Sequence, residues 1–132
     1  MKFKNASKTI AALIAAALFA NSILAAGTDW SVAVVDSTMK RYPTAESLKG
    51  WGYAKSLYLY GEYLVYLRTK DKKYLQHVKD WIDLHIDDKG TINRSITALD
   101  YMLPGNLCLI LYKETKEAKY KGCADMVRRA FD

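Results

Sequence analysis

What this sequence has little of narrows it before any motif is read. Apolar-polar alternation of period two is nearly absent, which argues against half-buried β-strands. Histidine and cysteine occur twice each, as His77 and His85 and as Cys108 and Cys123. The cysteines stand 15 residues apart with the histidines elsewhere, a spacing unlike a zinc chelate, so no metal is expected. No Ser-His-Asp grouping, phosphate loop or cofactor signature occurs, and no cofactor is expected. The N-terminal apolar stretch Thr9 to Ala20 is interrupted by Asn21 and Ser22. It falls short of the about 20 residues that span a bilayer, so no stable membrane anchor is expected.

A large excess of one charge is also missing. The chain has 20 Lys and Arg against 14 Asp and Glu. Three of those bases, Lys2, Lys4 and Lys8, precede the Thr9 to Ala20 stretch, which leads to the small residues Ala25-Ala26-Gly27. That order is a secretory signal peptide over residues 1–26, cleaved near Ala26, and implies a secreted or periplasmic protein. Its removal leaves 106 residues with 17 bases and 14 acids, too slight a bias for a nucleic-acid partner. Such a length supports one modest core.

What is there is helical. Tyr74, Leu75, Val78, Trp81, Ile82 and Ile86 form one apolar stripe over Lys72 to Ile86, and Gly90 stands where a helix stops. A segment from about Ala54 to Arg68 is apolar on nearly every side. Further helices are expected over Trp30 to Lys40, from Pro104-Gly105 onward, and over Ala118 to Phe131 with Tyr120, Ala124, Val127 and Phe131 inward. Tyr66 to Tyr74 matches Tyr112 to Tyr120 at an offset of 46 residues, with five identities and one acid-for-acid match. Both copies lie between apolar helices, so each reads as the turn of an αα-hairpin. That period suits HEAT-like arrays or closed toroids of paired helices. The long Thr91 to Pro104 connection, carrying Arg94, Asp100 and Tyr101, points to function. Cys108 and Cys123 are equidistant from the second turn, which fits either a disulfide or two buried thiols. The histidines read as surface or helix-packing residues.

Trp51-Gly52-Tyr53 opening a helix, Thr69 to Tyr74 with Trp81-Ile82-Asp83, and Leu99-Asp100 through Pro104-Gly105 to Leu111–Thr115 together resemble glycoside hydrolase families 105 and 88. These are the unsaturated rhamnogalacturonyl and glucuronyl hydrolases. The resemblance implies an all-α fold, with residues 27–132 as helical hairpins forming the N-terminal part of an incomplete (α/α)6 barrel. It also implies an oligosaccharide partner bearing a 4,5-unsaturated uronic acid, removed by hydration of its double bond through general acid/base catalysis. Asp100 matches an active-site Asp of the family and is the candidate catalytic residue, its other reading being a helix cap. Trp51 and Tyr53 match aromatic positions suited to substrate binding, or to the core.

The sequence departs from the family at Ala54-Lys55-Ser56, where an acid or Asn and a Gly are usual. The family's principal acid lies in a Trp-x-Asp-Gly segment that these 132 residues do not contain. The chain alone is therefore expected to be inactive. Two other readings are an exported helical-repeat binding module without catalysis and a truncated product with no function of its own.

Overall fold

A computed structural model of the protein describes residues 27–131; the leader read at residues 1–26 lies outside them. Residues up to Ala33 group as one unit and Val34 onward as another. In the first, Asp29 opens the helix α1 (Trp30–Arg41), its carboxylate accepting from Val32 N at 3.2 Å and from Ser31 Oγ at 2.8 Å.

The second unit continues through a short helix α2 (Ala45–Leu48) to two helical hairpins. The first pairs α3 (Tyr53–Thr69) with α4 (Lys72–Asp83), and the second pairs α5 (Leu103–Thr115) with α6 (Ala118–Arg129). A 3-10 turn, Leu99–Tyr101, precedes α5. Among the described residues there is no strand, only an isolated antiparallel bridge between Ile86 and Ile92. No described helix is long and apolar enough to cross a membrane.

The repeated sequence becomes a repeated turn. Thr69 Oγ1 donates to Val65 O at 2.9 Å and Thr115 Oγ1 to Leu111 O at 2.8 Å. The same hydroxyls accept from Asp71 N and Glu117 N, both at 3.2 Å. Between them, Lys70 (φ 59°, ψ 13°) and Lys116 (φ 63°, ψ 11°) take the left-handed conformation and end their helices by donating to Tyr66 O and Tyr112 O. A left-handed residue closes the last turn by satisfying a carbonyl that the helix leaves open.

Each returning helix docks on an earlier aspartate. Tyr74 Oη donates to Asp36 at 2.9 Å and Tyr120 Oη to Asp83 at 2.8 Å. Lys73 and Lys119 reach the same two carboxylates at 3.0 and 2.8 Å. The core between the hairpins contains Leu59, Val78, Trp81, Ile82, Leu107, Leu111 and Tyr120, all fully buried. Full burial of one such side chain is worth about 1.5–3 kcal/mol.

Three details depart from the sequence reading. Helix α4 ends at Asp83 rather than Ile86, because His85 O accepts from Asn93 N at 3.1 Å and Ile86 enters the bridge. The inward stripe of α6 includes Cys123 instead of Phe131, which lies past the helix and is exposed. Gly90 does not cap α4. It sits at φ 81° where a Cβ would collide with Lys119 O and stand 2.9 Å from Cys123 N, so only glycine lets this turn rest on α6.

Candidate functional site

The long connection and the entry to α3 meet through one side chain. Trp51 is buried, and its indole Nε1 donates to Tyr101 O at 2.9 Å. Its ring stacks on Trp81, with centroids 5.7 Å apart and planes 10° from parallel. His85 stands edge-on to both rings, at 5.6 Å from Trp51 and 4.9 Å from Trp81. Burial, with the charge of Arg94 adding to it, lowers the His85 pKa and disfavours the charged form of this ring among the indoles.

The cluster assigns separate places to the three residues singled out from sequence. Trp51 is spent on the core, with 4% of its surface exposed, and offers no face to a sugar. Tyr53, the first residue of α3, is 50% exposed. Asp100 is exposed within the 3-10 turn. It is not a helix cap, because the cap position of α5 is Met102 and no side chain caps that helix. Since Trp51 is bonded to Tyr101, Tyr53 and Asp100 each lie within two residues of a shared anchor. They stand at the N-terminal ends of α3 and α5.

Beyond this end, and not lined by Tyr53 or Asp100 themselves, a groove of about 360 Å³ lies between α3 and α5, lined by Ser56, Leu57, Tyr60, Asn106, Leu109 and others. Along α3, Tyr53, Leu57, Tyr60 and Leu64 are all about half exposed. Their spacing puts them on one face. Ser56 is buried with its hydroxyl donated to Gly52 O at 3.0 Å, so it completes the first turn. Lys55, beside it, is exposed. No group of His, Cys, Asp and Glu suited to a metal occurs among the described residues.

Sequence reasoning missed the groups that build this end and the hairpin interior. In the sequence Trp81 reads as one of a stripe and His85 as a surface or helix-packing residue, whereas the structure buries both against Trp51, whose indole is bonded to the connection. Glu62, on the apolar α3, was not singled out. It is fully buried, with both carboxylate oxygens 3.0 Å from His77 Nδ1. The one acid of α3, with a histidine 15 residues on in the returning helix, is the available signal.

Hairpins whose first helices present one face to a common groove, with loop residues gathered at one end, define part of an (α/α)6 barrel of the kind found in carbohydrate-active enzymes. A family model described as Glycosyl Hydrolase Family 88 matches residues 30–131, and the chain belongs to that family. It is also similar to a solved glycoside hydrolase from family 105 of C. acetobutylicum ATCC 824, at 32% identity and a TM-score of 0.73. That match covers 80% of this chain and 29% of the other, so the chain spans less than a third of the length of its structural relative.

Proposed function

We propose that this chain forms the substrate-binding side of a hydrolase that removes 4,5-unsaturated uronic acid from lyase-generated oligosaccharides. The observation that carries the proposal is the Trp51 to Tyr101 hydrogen bond, which ties the segment of an exposed aromatic, Tyr53, to that of an exposed carboxylate, Asp100, at the N-terminal ends of α3 and α5. Tyr53 stacks on a sugar face, and Asp100 accepts from a sugar hydroxyl or orients the reacting water. Lys55 pairs with the uronate carboxylate, aided by the positive ends of two helix dipoles. Hydration adds a proton on the C4 side and water oxygen at C5; the hemiketal opens and the leaving sugar departs. The proton donor of the resembled family lies outside these residues. The amino-terminal leader delivers the protein to a compartment where such oligosaccharides arrive.

Titration of the chain with an unsaturated uronyl disaccharide is expected to move the amide resonances of Tyr53 and Asp100, and to do so more than the saturated disaccharide. Unmoved resonances at both positions overturn the assignment. The ultraviolet absorbance of the double bond is expected to persist throughout, and its loss would show that these residues alone suffice for catalysis.

A further inference from the structure

Cys108 on α5 and Cys123 on α6 face each other across the second hairpin, both with no exposed surface and their Sγ atoms 2.8 Å apart. They are free thiols in this structure. Their register is shared with the first hairpin: 46 residues earlier in each case stand Glu62 and His77, themselves in contact at 3.0 Å. The array thus uses one position in each hairpin for a polar or sulfur contact that ties the outgoing helix to the returning one.

The backbones around the thiols have little freedom to separate. Gly105, one turn from Cys108, lies so near α6 that a Cβ there would be 3.0 Å from Val127 Cγ1. The Gly90 turn rests against α6 as well, at Cys123 N. Two unbonded sulfurs pressed together in a close-packed interior lose little by moving closer to the about 2.05 Å of a disulfide.

We propose that Cys108 and Cys123 close into an intramolecular disulfide by exchange with a low-molecular-weight disulfide as the chain folds, giving the second hairpin a covalent counterpart of the Glu62–His77 contact. One cysteine thiolate attacks the external disulfide R–S–S–R, forming a mixed disulfide and releasing one RS⁻. The other cysteine, deprotonated, attacks the protein sulfur and releases the second RS⁻. Two S–H bonds are lost and one S–S bond is made; the external disulfide takes the two electrons and, with the two protons, leaves as two RSH. In the folded chain the contact with Cys123, and then burial, raise the Cys108 pKa far above the usual thiol range, which opposes attack from within. Exchange therefore precedes burial, and burial then shields the bond from reductant.

Dilution of the reduced, urea-unfolded chain into native buffer with reduced and oxidised glutathione tests this, beside the same equilibration kept in concentrated urea, each followed by acid quenching, alkylation and mass measurement. The effective concentration of the two thiols for each other is expected to be about a hundredfold higher in native buffer than in urea, as for a loop of this length. Equal values in the two solvents overturn the proposal, as do two alkylatable thiols persisting under oxidising native conditions or bonds found only between chains. A chain carrying Cys108→Ala with Cys123→Ala is expected to unfold at a midpoint that added reductant does not move, whereas reductant lowers the midpoint of the oxidised parent.

Discussion

The α3–α4 and α5–α6 hairpins share their turns nearly atom for atom, with the same left-handed lysine, the same threonine hydroxyl bridging the same two backbone groups, and the same tyrosine and lysine docked on an aspartate. Midway along the helices they part. One is clasped by a buried acid and histidine, the other by two sulfurs. The turn is solved by local backbone chemistry, whereas the clasp needs only two side chains that fit each other at a fixed register. The aspartates differ as well: Asp83 is 28% exposed and Asp36 44%. Burial opposes the ionisation of Asp83, yet Lys119, Lys79 and Tyr120 together hold its pKa below the ordinary carboxylate value.

The strongest way to break the comparison is at the first clasp. His77→Ala leaves Glu62 buried without its partner and is expected to cost about 3–5 kcal/mol, read from urea unfolding. Glu62→Met combined with His77→Leu, which removes both buried polar groups, is expected to recover most of that loss. If the double replacement is as damaging as the single one, the pair is not acting as a clasp.

A smaller effect sharpens the contrast by pH. Glu62 raises the His77 pKa above its ordinary 6.5, with Tyr58 beside the same carboxylate, Asp80 on the same helix and Asp36 from α1 acting on Glu62. A raised folded value means that the stabilisation is full below about pH 6.5 and is lost as pH rises through the folded pKa. Burial also raises the Glu62 pKa, so this group loses its stabilisation in the same direction. Urea midpoints are expected to fall as pH rises, and Glu62→Gln with His77→Gln, which removes both titrating groups, is expected to flatten the profile. A parent profile already flat there contradicts a charged His77.

The smallest effect tests whether the turns are equivalent. Lys70→Gly and Lys116→Gly each relieve a left-handed non-glycine residue, and each is expected to raise stability by about 0.5–1 kcal/mol. Because the backbone angles agree within a few degrees, the two gains are expected to match. Unequal urea midpoints would show that the turns differ in what surrounds them.

Much of the fold was legible because helix periodicity and turn chemistry are local. The Tyr66 to Tyr74 and Tyr112 to Tyr120 repeat located both turns, and the apolar stripes located α3 to α6 within a few residues. The short helix Ala45–Leu48 and the 3-10 turn were not seen, being too short to show a period. The end of α4 was misjudged because Ile86 continues the helical stripe but pairs across the chain with Ile92. At the candidate site, Tyr53 and Asp100 were named from sequence, but what joins them was not. Whether Trp51 meets a sugar or the core depends on Trp81 and on the Tyr101 carbonyl, partners 30 and 50 residues away that no local pattern connects.

The docking of each returning helix on an aspartate has a consequence for how the protein is made. Asp36 comes before Tyr74 in the chain and Asp83 before Tyr120. The acceptor is always synthesised first. As the polypeptide emerges amino-terminus first, each new hairpin meets a landing point already presented by what preceded it, and folding can keep pace with emergence without waiting for residues still to come.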